Sequence, residues 1–197
     1  MSCAVWDGTI YTFGNYNIAS DNNGVLAFNP STDVWTSLAN MPTGRGMASA
    51  AAVNGKIYVF GGNDAYWNRW LTTVEVYDTR TNSWNTNIPA IPGTGRGYLS
   101  ANAVNGKIYV MGGTNSYVVP TFSDNFVYDP VANSWYSAAP LPRPRSHHGS
   151  VVLDGKIYLI GGAYRYSAHQ EVFPAEVDVY DPATDSWTQV APQGNRT

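Results

Sequence analysis

The nine residues from Asn54 to Gly62, NGKIYVFGG, return as NGKIYVMGG from Asn105 to Gly113 and as DGKIYLIGG from Asp154 to Gly162. A looser copy, DGTIYTFGN, runs from Asp7 to Asn15. A chain that repeats itself four times is a stack of like units, because each unit is too small to bury its own faces. Other signals keep the same period. The turn pairs Asp7-Gly8, Asn54-Gly55, Asn105-Gly106 and Asp154-Gly155 stand 47, 51 and 49 residues apart, and Trp35, Trp84, Trp135 and Trp187 stand 49, 51 and 52 apart. Between them come Phe28-Asn29-Pro30, Tyr77-Asp78-Thr79, Tyr128-Asp129-Pro130 and Tyr180-Asp181-Pro182.

Each unit reads as four strands. An apolar run such as Ala48 to Val53 meets an Asn-Gly or Asp-Gly pair, which tolerates the positive φ of a two-residue hairpin turn, and returns as KIYVFGG. After a loop of variable length, a third strand such as Thr73 to Asp78 leads through a polar turn to a fourth opened by Trp84. Composition agrees: aromatic residues make up 14% of the chain, with 19 glycines and 12 prolines, a mixture of strand formers and turn formers that needs no helix. The recurring tryptophan is expected between adjacent sheets. Cys3, the single cysteine, is expected as a small buried strand residue and excludes an internal disulfide.

Turn glycine, Ile-Tyr, Gly-Gly, Tyr-Asp-Pro and Trp in this order, at a period near 50, resemble the kelch repeat, whose units are blades of a β-propeller. The resemblance covers the whole chain. It implies an all-β, kelch-type propeller domain with four blades of four antiparallel strands, at about 1–42, 43–92, 93–142 and 143–197. The first unit departs from the pattern at Asn15, which replaces the second glycine, and at Phe28-Asn29.

Kelch propellers resemble rings of five to seven blades, so four blades raise the question of closure. Arg196 falls where a further unit's arginine is expected, and joining the end to the start puts it eight residues before Asp7, against nine in the other units. Three closures stay open: a four-bladed monomer, placed first, a head-to-tail homodimer completing an eight-bladed ring, or a cut from a longer array.

The net charge is -3, and the three lysines, Lys56, Lys107 and Lys156, occupy one repeat slot, so no basic patch for nucleic acid is present. The longest apolar runs are strand-sized and no signal peptide is evident at the start, which reads as a soluble chain without a membrane span.

If the strands alternate up and down, the loops after Gly-Gly share a face with the connections that carry Arg45, Arg96 and Arg145. Candidate ligand contacts there are Asn63, Trp67, Trp70, Asn115, Tyr117, Tyr164 and Arg165, since rigid aromatic side chains offer contact area at low entropic cost. In kelch domains that this chain resembles, arginines at this place can contact acidic peptides. A guanidinium fork suits a carboxylate, although each arginine would equally serve as a brace for a neighbouring loop. The expected partner is a protein segment or a carbohydrate, with no cofactor and no metal. The alternatives are a propeller enzyme resembling the sugar-acid mutarotases, with His169, Glu171, Glu176 and Arg165 as an acid–base group, or a structural unit with no ligand of its own. A copper site such as that of galactose oxidase is disfavoured, because His147 and His148 are adjacent and point apart on a strand.

Overall fold

In a computed structural model, the chain forms two compact units, Met1–Gly97 and Tyr98–Thr197. Residues 1–14, 22–64, 69–116, 121–167 and 170–190 are described, with backbone pairing alone for 165–167 and 170–171. Trp67, Tyr117, His169 and Arg196 lie outside the described residues.

The first unit holds two four-stranded antiparallel sheets. Blade 1 is β1 (Ser2–Trp6), β2 (Thr9–Phe13), β3 (Val25–Asn29) and β4 (Val34–Ser37). Blade 2 is β5 (Ser49–Val53), β6 (Lys56–Phe60), β9 (Val74–Asp78) and β10 (Ser83–Asn85), with the loop hairpin β7 (Asn63–Asp64) and β8 (Arg69–Trp70) between its second and third strands. The second unit repeats the plan. Blade 3 is β11 (Ser100–Val104), β12 (Lys107–Met111), β13 (Asn125–Asp129) and β14 (Ser134–Ser137). Blade 4 is β15 (Gly149–Leu153), β16 (Lys156–Ile160), β19 (Val177–Asp181) and β20 (Ser186–Val190), with β17 (Tyr164–Ser167) and β18 (Gln170–Val172) as its loop hairpin. Four blades of four antiparallel strands are thus present, as the repeat predicts, and the described residues contain no helix.

The turn chemistry decides the strand register. Asn54 and Gly55 take φ of 51° and 76°, and Asp7-Gly8, Asn105-Gly106 and Asp154-Gly155 match them, which is the doubly positive turn that twists with the flanking strands. The register then follows, with Val53 opposite Lys56 and Ser49 opposite Phe60. At the other end of each blade the Asp of Tyr-Asp accepts a hydrogen bond from the backbone N–H two residues on: Asp78 from Arg80 (2.9 Å), Asp129 from Val131 (2.9 Å), Asp181 from Ala183 (2.9 Å). Asn29 does the same for Ser31, so the departure in the first unit leaves the turn intact. Lys107 and Lys156 pair with Asp129 and Asp181, which accounts for two of the lysines that share one slot.

Within each unit one blade face packs on the next. In the first unit Ala4, Phe13, Val25 and Met41 of blade 1 and its connection meet Ala50, Ile57, Val59 and Tyr77 of blade 2. In the second, Val104, Tyr109, Met111, Val127 and Leu141 meet Ile157, Leu159 and Tyr180. The tryptophans that enter these cores also latch them. Trp84 donates its indole N–H to the Ala39 carbonyl (2.8 Å), and Trp187 donates to Ala139 (3.0 Å). Asn82 and Asp185 accept from the N–H groups of the same two alanines, and from the hydroxyls of Tyr77 and Tyr180. Burial pushes the Tyr77 phenol up to about 12, so it remains a donor.

Two expectations are corrected in blade 1. Trp35 is 54% exposed and rests on Phe28 at a centroid distance of 4.8 Å. Cys3 is exposed instead of buried. Both stand on the face that blades 2 and 4 cover with a preceding blade, and no described residue covers it here.

Candidate functional site

The Gly-Gly pairs have a tertiary reason. Gly61, Gly62, Gly112, Gly113, Gly161 and Gly162 all take positive φ, and at Gly62 and Gly162 a Cβ would lie 2.5 and 2.6 Å from the carbonyl oxygens of Gly46 and Ser146. At Gly14 and Gly112 it would meet the carbonyl oxygens of Arg45 and Arg145, at 2.2 and 2.3 Å. Only glycine lets the chain turn there while the arginine connection comes this close. Hydrogen bonds complete the lacing: Gly62 N–H to Arg96 O (2.8 Å), Arg96 N–H to Leu71 O (3.1 Å), and Leu71 N–H to Gly62 O (2.9 Å). In the second unit Gly113 donates to Arg145, Arg145 to Phe122, and Phe122 to Gly113. In each unit, then, loop and arginine connection share one end of the sheets, opposite the Asn-Gly turns.

The arginine side chains face inward. Arg45 is 1% exposed, pairs with Glu75 at 3.0 Å, and donates to the carbonyls of Gly61 and Thr73, both at 3.0 Å. Arg145 is equally buried and pairs with Asp178 while donating to Leu159 O. Arg96 is buried too and donates from Nε to the Thr94 carbonyl. Burial lowers the guanidinium pKa of Arg45 and Arg145, and the neighbouring carboxylate opposes that shift. The expected outward fork is therefore revised for Arg45 and Arg145. Each is a brace that ties the connection to the third strand of its own blade.

Two residues after each of these arginines stands a residue that the repeat pattern does not flag. Met47, Tyr98 and His147 occupy the same position in blades 2, 3 and 4, and their φ values are 58°, 53° and 57°. A bulky side chain in this region is strained, and strain of this kind persists where the surrounding structure over-determines it. In the second unit the exposed His147 stacks on Tyr98 with ring centroids 3.5 Å apart, and its N–H donates to the Tyr98 carbonyl. In the first, Trp70 and Met47 both close on Gly97, since a Cβ there would meet the Trp70 ring at 2.7 Å and the Met47 Cβ at 3.2 Å. The only prior signal was position: all three follow Arg-Gly or Arg-Ser.

Of the other candidates, Asn63 is buried and its Nδ2 has no hydrogen-bond partner among the described residues. Trp70 and Asn115 are half-buried, and Tyr164 is buried. Arg165 and Glu171 pair through the backbone of β17 and β18. Glu176, offered as part of an acid–base group, pairs with Arg143 at 3.1 Å. His147 and His148 take separate partners. His148 Nε2 meets Ser100 Oγ at 2.9 Å, and burial with the charges of Arg145 and His147 lowers its pKa to about 3. No group of three His, Cys, Asp or Glu residues able to hold a metal occurs among the described residues, nor is any helix long and apolar enough to cross a membrane. On the turn face of the first unit an open depression of about 420 Å³ lies among Trp6, Tyr11, Asn54, Thr79 and Arg80.

Four four-stranded blades built on Asn-Gly or Asp-Gly turns and glycine corners define a kelch-type β-propeller. Residues 1–197 match the KLHDC2/KLHL20/DRC7 Kelch-repeats domain, and the chain belongs to this kelch-repeat family. It is 30% identical over 187 residues to Kelch-like protein 23 of Mus musculus, covering 94% of this chain and 31% of that protein. Beta-scruin of Limulus polyphemus is 29% identical over 200 residues, covering 95% of this chain and 22% of scruin. Among solved structures, YjhT superposes with a TM-score of 0.83 at 23% identity, covering 98% of this chain and 65% of that one. The chain thus spans less than a third of the length of the first relatives it matches and about two thirds of the YjhT chain.

Proposed function

We propose that this chain is a non-catalytic recognition module that binds a protein segment on the end where the Gly-Gly loops and the arginine connections are laced together. Membership of the kelch-repeat family supports a protein-binding module. The observation that carries the choice of face is the repeated αL residue after each buried arginine. Met47, Tyr98 and His147 are held at this end by Arg45, Arg96 and Arg145, and by the glycine corners beneath them. Large, pre-oriented side chains over a rigid root suit hot-spot contacts, because little entropy is lost when a partner docks.

In this reading the ligand contacts of the first unit are Met47, Trp67 and Trp70, and those of the second are Tyr98 and His147 with Asn115, Tyr117, Tyr164 and Arg165. Arg45, Arg96 and Arg145 position them, as does Asn63. Since the charges of Arg45 and Arg145 are spent on Glu75 and Asp178, these two arginines add little salt dependence to binding. A carbohydrate stacked on Trp67, Trp70 or Tyr164 is the competing ligand class. Peptide and glycan arrays probed with the wild-type protein and with Tyr98→Ala, His147→Ala and Trp70→Ala distinguish the two. Peptide binding that falls at least about tenfold in these variants is expected. Binding confined to glycans overturns the ligand class, and binding equal in all variants overturns the face.

A further inference from the structure

We propose that Asn105 is a modification site that loses its side-chain amide by spontaneous cyclisation, while the fold holds the two other Asn-Gly pairs, Asn23-Gly24 and Asn54-Gly55, against the same reaction. The site lies at the turn end of blade 3 and is independent of the ligand end. In an Asn-Gly pair the backbone nitrogen of the glycine attacks the asparagine Cγ, since no Cβ hinders its approach. A C–N bond forms, the Cγ–Nδ2 bond breaks, and the amide departs as ammonia with the proton of the glycine N–H. Water then opens the cyclic imide at either carbonyl, leaving aspartate or isoaspartate.

The nitrogen reaches Cγ only when the peptide between the two residues rotates, so the hydrogen bonds that hold the pair's carbonyls decide the rate. At Asn23-Gly24 both carbonyls are held: Met41 N–H donates to Asn23 O (2.8 Å) and Gly14 N–H donates to Gly24 O (3.0 Å). At Asn54-Gly55, Thr79 donates twice to Gly55 O, from its N–H at 3.1 Å and from its hydroxyl at 2.8 Å. Trp6 closes the same turn, since a Cβ on Gly55 would lie 3.8 Å from its indole nitrogen. At Asn105-Gly106 the place of Thr79 is taken by Pro130, which has neither an N–H nor a hydroxyl. No described residue donates to Gly106 O. Gly106 is exposed where Gly55 is buried, and a Cβ on it would meet nothing within 4 Å. Residues 52–59 and 103–110 share one sequence, AVNGKIYV, and the two turns share their φ values, 51° and 76° against 50° and 76°. Any difference in rate between Asn54 and Asn105 is therefore tertiary.

The two products differ in effect. Aspartate suits this turn, as Asp7 and Asp154 occupy it at φ of 47° and 51°. Isoaspartate routes the main chain through Cβ and adds a backbone atom between Val104 and Lys107, which face each other across the turn. Val104 belongs to the core between blades 3 and 4, so this product loosens the hairpin where the second unit packs.

Incubation of the full chain at neutral and mildly alkaline pH, followed by tryptic digestion and mass spectrometry, tests this. The digest places Asn54 and Asn105 in separate peptides, 46–56 and 97–107. In the folded chain Asn105 is expected to convert about tenfold faster than Asn54 or Asn23, as the absence of two hydrogen bonds implies. In guanidinium chloride Asn54 and Asn105 should convert at the same rate. Thr79→Pro, which copies blade 3, should bring Asn54 up to the rate of Asn105 and leave Asn105 unchanged. Thr79→Val, which keeps the N–H, should raise Asn54 part of the way, with the fold of both variants checked by circular dichroism. Equal rates at Asn54 and Asn105 in the folded chain overturn the proposal, as does an Asn105 that stays intact while the unfolded chain converts. An Asn54 unmoved by both Thr79 variants also overturns it, since the bonds to Gly55 then decide nothing.

Discussion

The two units build the same seam from different chemistry. Where the first strands of blades 1 and 2 adjoin, the facing positions are Ser2 and Ala4 on one side and Ala48 and Ala50 on the other; between blades 3 and 4 they are Ser100 and Asn102, facing His148 and Ser150. The second set forms a chain of polar contacts. His148 Nε2 meets Ser100 Oγ at 2.9 Å, Asn102 Nδ2 donates to Ser100 Oγ at 3.4 Å, and Ser150 Oγ donates to Asn102 Oδ1 at 2.8 Å. In the first unit Ser2 Oγ is buried without a hydrogen-bond partner among the described residues, because alanine stands where His148 would answer it. The same backbone accepts either solution. What differs is that a polar seam must be satisfied throughout, and removing one member strands the rest.

The largest effect should come from the feature both units share. Arg45→Ala leaves Glu75 buried without a counter-charge, and Arg145→Ala does the same to Asp178. Each should cost about 3 to 5 kcal/mol in urea unfolding. If the two losses differ widely, the braces are not equivalent and the symmetry of the comparison fails. Replacing both partners, as in Arg45→Met with Glu75→Leu, should restore most of the loss.

Acid separates the seams more specifically. The His148 pKa is about 3 in the folded chain, against about 6.5 when unfolded. Between those values the unfolded state binds the extra proton, so stability rises with pH across this window and is lost as pH falls from 6.5 towards 3. The slope is at most about 1.4 kcal/mol per pH unit. His148→Leu, which copies Leu99 at the same repeat position, should flatten the decline in melting temperature between pH 6.5 and 5, above the main carboxylate range. An unchanged profile would mean that His148 is hydrated and free to protonate.

The smallest test converts one seam into the other. Asn102→Ala alone leaves the Ser150 hydroxyl without its acceptor and should cost about 1 kcal/mol. Adding Ser150→Ala, which gives the alanine pair found at Ala4 and Ala50, should recover much of that cost. Strict additivity would show that the Asn102–Ser150 bond contributes nothing to the seam.

Much of this architecture is legible in spacing. Asn54-Gly55 and its counterparts announce the hairpins because only a few residue pairs accept two positive φ values in succession. Tyr-Asp-Pro announces the turn that its aspartate then holds. The role of Gly-Gly was not legible in this way. Strand-end glycines look alike from one dimension, and the carbonyls of Gly46 and Ser146 that forbid a Cβ come from positions 16 residues away. The direction of Arg45 and Arg145 was equally hidden. A recurrent arginine beside a ligand face and a recurrent arginine beneath one have the same period, and only Glu75 and Asp178 on the third strand separate them.

The sequence by itself therefore determined the number of blades, the strands in each and the turns between them, because these depend on local conformational preference and alternation repeated at a constant period. It did not determine which tryptophans are covered, which arginines are spent internally, or that Met47, Tyr98 and His147 share a strained conformation. Those outcomes depend on what a neighbouring strand or blade brings within a few ångströms. Trp35, Trp84 and Trp187 occupy the same place in the repeat, yet a preceding blade's alanine meets only the last two. Tertiary structure decided that difference, since burial belongs to a pair of surfaces and one repeat supplies only one of them.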